Sequence, residues 1–183
     1  MKDRVFRLYR AISRRGLTVA IAATAAATAT WVTTPRAGAS FCDPPLNGTF
    51  NAVSDGVWAK TNDVFHDETP LASTWTVSTS CTDNFPDCAG TLHSSQGWSA
   101  TVKCEAAGMW YVRRHLDHWE HCRDGGDAPG DQLYYFSPQL SGAPSFTSIA
   151  TFTGMDRTVG PSGGCGINMP LVIEIPFKLT KTG

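Results

Sequence analysis

A chain of 183 residues is sized for one ordinary domain. Its formal net charge of −1 hides an asymmetry: seven of the 15 Lys and Arg precede Ser40, so residues 40–183 hold eight against fifteen Asp and Glu, near −7. Such a surface repels phosphate backbones and anionic lipid, which argues against nucleic-acid partners and membrane adsorption.

The N-terminus has the plan of a cleaved export signal. Lys2, Arg4, Arg7, Arg10, Arg14 and Arg15 face a single acid, Asp3, and an uncharged stretch runs from Gly16 to Thr34. Ala37 and Ala39 then supply small residues for a peptidase, so cleavage is expected after Ala39, leaving residues 40–183 as one domain. A permanent anchor needs about 20 apolar residues. Here Thr18, Thr24, Thr28, Thr30, Thr33 and Thr34 dilute the stretch. Arg14-Arg15 resembles a twin-arginine signal and is preferred over the general route. Phe41 before Cys42 rules out a lipobox. The expected location is secreted, extracellular or in a periplasm-like envelope.

All six cysteines (Cys42, Cys81, Cys88, Cys104, Cys122, Cys165) follow the signal. An even count in a small exported domain reads as a disulfide framework, and the absence of a C-x-x-C pair disfavours zinc. Three bridges are expected: Cys81–Cys88 across the Asp83–Asp87 turn, then Cys104–Cys122 and Cys42–Cys165.

Beyond Ser40 the hydrophobic period is two. Trp75, Val77 and Cys81 alternate with hydroxyls; Trp98, Ala100, Val102 and Cys104 alternate with Ser99, Thr101 and Lys103; Leu171, Ile173, Ile175, Phe177 and Leu179 form a third face. Further strands are predicted over Thr49–Val53, Gly90–Ser94, Met109–Arg114, Gln132–Ser137 and Thr147–Thr153. Turn signals lie at Ser54-Asp55-Gly56, Asp83–Asp87, Ala106-Ala107-Gly108, Asp124–Gly130, Ser141–Pro144 and Gly160–Gly166. About eight short antiparallel strands make the fold all-β. The short connections favour a lipocalin-like meander barrel over a two-sheet sandwich. Pro176 in the last strand marks a bulge or a solvent-facing side.

The residues carry no catalytic set. His115-Leu116-Asp117-His118-Trp119-Glu120-His121-Cys122 offers imidazoles and carboxylates for zinc or copper. On an extended strand, however, His115, Asp117, Trp119 and His121 share a face and His118 points away. The segment therefore reads as a solvated connection with Trp119 tucked in, and no metal or other cofactor is expected. Gly160-Pro161-Ser162-Gly163-Gly164-Cys165-Gly166 resembles a serine-protease loop, but Pro161 stands where an aspartate is required and no third triad member is identifiable. Its glycines are read instead as turn formers that bring Cys165 to a partner. Tryptophans at 58, 75, 98, 110 and 119 either fill the barrel or line a cavity, with Trp75, Trp98 and Trp110 as the candidate ligand wall.

The strings Asn47-Gly48-Thr49-Phe50, Trp58-Ala59-Lys60-Thr61-Asn62-Asp63, Ser73-Thr74-Trp75-Thr76, Gly97-Trp98-Ser99-Ala100 and Gly160–Gly166 resemble small exported mycobacterial and actinobacterial proteins of uncharacterised function. The resemblance implies location and lineage and transfers no site. The expectation is a monomeric, non-enzymatic β-domain binding a small apolar molecule or a cell-envelope component. The alternatives are a metal-dependent or hydrolytic enzyme using His115–His121, and a ligand-free surface antigen.

Overall fold

A computed structural model describes Cys42 and residues 44–82, 88–105, 108–140, 143–144 and 150–183. The expected leader (1–39) and the Asp83–Asp87 turn lie outside the described residues. The strands are β1 (Gly48–Ser54), β2 (Lys60–Thr61), β3 (Val64–Phe65), β4 (Leu71–Cys81), β5 (Cys88–Ser94), β6 (Ser99–Glu105), β7 (Met109–His121), β8 (Asp127–Leu140), β9 (Ala143–Pro144), β10 (Thr151–Val159) and β11 (Val172–Lys181).

Eight of them form an antiparallel meander in the order β1-β4-β5-β6-β7-β8-β10-β11. Strand β11 then returns to β1, with Phe50 opposite Lys181 and Ser54 opposite Phe177, so the sheet closes into a barrel. Closure removes every long edge from solvent, and eight strands enclose an interior that side chains can fill. The β2–β3 hairpin rests on β11, and β9 on β8.

Two strands are much longer than the sequence suggested. Strand β7 runs 13 residues and β8 runs 14, absorbing His115–His121 of the expected connection and Asp127–Gly130 of the expected turn. The polar residues that read as loop are the solvent-facing set, while Ala128, Gly130 and Gln132 continue the buried alternation. The turn narrows to Cys122–Gly126, closed by the Cys122 amide donating to Gly126 O at 2.8 Å. Of the strand expected over Thr147–Thr153, Thr151–Thr153 open β10, which continues to Val159, while residues 147–149 lie outside the described residues.

Pro176 sits in a strand paired on both sides. Strand β11 meets β1 over Phe177–Lys181 and β2 over Ile173 and Glu174, so Pro176 falls in the gap between those two partners. A residue without an N–H costs no ladder bond there. Its carbonyl still accepts from the Asp55 amide at 2.8 Å.

The core fills the barrel from the end at which β4 and β6 finish. Phe50, Trp75, Leu92, Val102, Val112, Phe136, Phe152 and Leu179 are all buried, and Leu46 closes the bottom. Trp75 stands edge-on to Tyr134 at 5.0 Å and to Trp98 at 5.6 Å, and Phe136 edge-on to Phe152 at 5.8 Å. Burying each such side chain stabilises by about 1.5–3 kcal/mol.

Three disulfides staple the domain, and no free cysteine remains among the described residues. Cys81–Cys88 joins directly paired residues of β4 and β5. The other four cysteines pair differently from the expectation: Cys42 with Cys104, and Cys122 with Cys165. The meander gives the reason. Cys104 ends β6 at the bottom of the barrel beside the entering N-terminal segment, whereas Cys122 follows β7 at the opposite end, where the Gly160–Gly166 loop also lies. Spacing along the chain carries no information about which end of a barrel a strand terminates at.

Candidate functional site at the barrel mouth

The inward residues of β8 and β10 change character along the barrel. On β10 the sequence passes from Phe152 through Gly154 to Asp156 and Thr158; on β8 it passes from Phe136 through Tyr134 to Gln132 and Gly130. Apolar packing therefore stops at one level, and a polar floor takes over. Asp156, only 2% exposed, is its centre. Ser54 Oγ donates to Asp156 Oδ2 at 2.8 Å, Gln132 Nε2 donates to Oδ1 at 2.7 Å, and the Tyr134 hydroxyl also bonds this carboxyl.

Burial pushes the Asp156 carboxyl above the usual carboxylate range, against the pull of those three bonds and of Arg114. Burial likewise pushes the Tyr134 hydroxyl upward, so it stays a neutral donor. Burial lowers the Arg114 pKa, and its guanidinium lies over the Trp98 ring at 4.2 Å.

Above this floor is a cavity of about 220 Å³. Gln132, Asp156 and Thr158 are buried polar residues of its lining, Leu71, Ile173 and Ile175 its aliphatic residues, and Glu68, Thr69 and Trp119 complete it. Trp119 reaches it through a bulge. Between the pairs Leu116–Gly130 and Glu120–Ala128, β7 spends three residues against one on β8. The indole then lies over Gly130 and Gly160, where an added Cβ would come within 2.7 Å and 3.1 Å of it. Glu68 is held by Thr61 Oγ1, which donates to Oε1 at 3.2 Å, and by His66 Nδ1 at 3.1 Å from the same oxygen.

The same bulge corrects the reading of the histidines. His118 and His121 do not face opposite ways; both imidazoles bond the Asp127 carboxylate through Nδ1, His118 at 3.1 Å. The His121 bond holds Asp127 below the usual carboxylate range. His115 Nδ1 engages Asp131 at 2.7 Å, and that bond raises its pKa. Among the described residues, no group of three or more His, Cys, Asp or Glu is arranged to hold a metal ion.

Of the expected ligand wall, Trp75 and Trp110 are buried in the core, and Trp98 packs against it while stacking on Tyr134 at 6.2 Å. None of the three lines the mouth cavity. Of the residues that do, Gln132 opens the strand expected over Gln132–Ser137, whereas Asp156 was legible only by extending β10 past its expected end. In the Gly-rich loop, Gly163 and Gly166 adopt left-handed φ values of 88° and 74°, turning the chain so that Cys165 meets Cys122.

No protein-family model and no curated protein matches the chain. A solved structure does: the sensor domain of M. tuberculosis PknI in its monomer form. The similarity has a TM-score of 0.53 and 14% identity, and spans 75% of this chain and 88% of that one. It is a likeness of fold.

Proposed function

We propose that the protein is an exported, monomeric, non-enzymatic barrel domain that binds a small molecule in the cup at its open end. The observation that carries this reading is the abrupt end of core packing at Asp156, with a cavity left above it and Trp119 arched over the side. Exclusion of water by an aromatic wall around a few fixed polar groups is the ordinary make-up of a small-ligand site. Three disulfides suit an oxidising compartment, which supports export. The barrel shared with a protein described as a sensor domain fits a binding role.

The cup departs from the purely apolar pocket suggested by the tryptophan count. Its lower half offers Gln132, Asp156 and Thr158, so the guest presents a polar head downward and an apolar body to Leu71, Ile173 and Trp119. The test is a thermal-shift screen of small molecules on the wild type and on Ile173→Phe, which fills the cup. Ligands that raise Tm in the wild type alone support the reading. Ligands that stabilise both proteins equally, or a screen that yields none, overturn it.

A further inference from the structure

We infer that the ligand of the mouth cavity is a small organic cation, an amine with a short apolar body. This rests on the reading of the cup as a binding site and names the chemistry of its occupant. Two carboxylates, Glu68 and Asp156, line the cavity, and none of its lining residues is basic. The guanidinium of Arg114 lies over the Trp98 ring, outside the cavity lining, and its charge acts on Asp156. A bound anion would meet the Glu68 carboxylate, and no basic side chain lines the cavity to receive it. An ammonium group gains from Glu68 at the cavity and from the acceptor-rich polar floor beneath it.

The side wall agrees with this. Trp119 offers an indole, the aromatic group that attracts cations most strongly when water is excluded. Among the described residues, the side-chain bonds to the Glu68 carboxylate fall on Oε1. The field of the domain points the same way, since residues 40–183 carry a net charge near −7. Leu71, Ile173 and Ile175 set the size and apolar character of the remainder of the guest.

The experiment is isothermal titration of the purified protein with three probes of one length: hexylammonium chloride, 1-hexanol and sodium hexanoate. Saturable binding of hexylammonium is expected, at least about tenfold tighter than hexanol, with hexanoate weakest. Glu68→Gln should weaken hexylammonium about tenfold, the scale of one charge-assisted contact, and leave hexanol unchanged. Trp119→Phe should bind more tightly than Trp119→Leu, as an aromatic face requires. Hexanol or hexanoate binding as tightly as hexylammonium, with loss in the cup-filling Ile173→Phe variant, would overturn the cation and keep the cup. Absence of saturable hexylammonium binding would overturn the inference outright.

Discussion

The indole of Trp119 lies directly on Gly130: a methyl group at that position would come within 2.7 Å of Cδ2 and Cε3 of the ring. Gly130 does not hold a left-handed φ, so the substitution acts through the ring and the adjacent Thr158 methyl rather than through backbone strain. Gly130→Ala is expected to push Trp119 off the mouth, lowering stability by about 1–3 kcal/mol, the range for overpacking a filled site. In the Trp119→Ala background the same change should cost much less. Urea denaturation of the four proteins of this cycle measures the coupling, and additive costs would show that the contact is unimportant.

Asp156 makes stability depend on pH in a direction opposite to that of most carboxylates. Its folded pKa is raised, chiefly by burial, above the unfolded value of about 3.9. The folded state therefore holds the proton more tightly, so this contribution is complete below the unfolded value and is lost as pH rises through the folded one. Relative to Asp156→Asn, the wild type should lose stability on going from pH 4 to pH 8. Melting curves of both proteins across that window check it, and a wild type that gains stability relative to Asp156→Asn as pH rises would contradict it.

Much of the barrel is legible in the sequence because a period of two reports directly which side chains face inward. Trp75, Val77, Val102, Phe177 and Leu179 appear in that pattern, and all are buried. What escaped reading has a physical cause in each case. His115 and Asp117 are polar because they face water, and on β7 that looks identical to a loop. The Trp119 bulge inserts residues without a Gly or Pro signal, so flat-strand register placed His118 and His121 on opposite faces. Asp156 lies inward beyond the point where apolar residues cease, and a buried acid breaks the very alternation used to find it.

The disulfides should differ in worth by the length of chain they close. Cys42–Cys104 and Cys122–Cys165 span 62 and 43 residues, against seven for Cys81–Cys88. Loop-closure entropy assigns about 4 kcal/mol to each long bridge and about 2.4 kcal/mol to the short one. Paired Cys→Ala variants measured by urea midpoint should follow that order. Thiol titration of the denatured, unreduced protein should find no free thiol from these six residues. A short bridge costing as much as either long one would point instead to strain or packing at the bottom of the barrel.

The cup is tested most directly by a two-dimensional NMR titration with hexylammonium chloride and, separately, 1-hexanol. Binding at the mouth predicts saturable shifts of the Trp119 indole N–H and of the Thr158, Ile173 and Ile175 amides, while the core indoles of Trp75 and Trp110 stay in place. Shifts gathered instead on residues away from the mouth cavity, or no saturable shift with either probe, would contradict it.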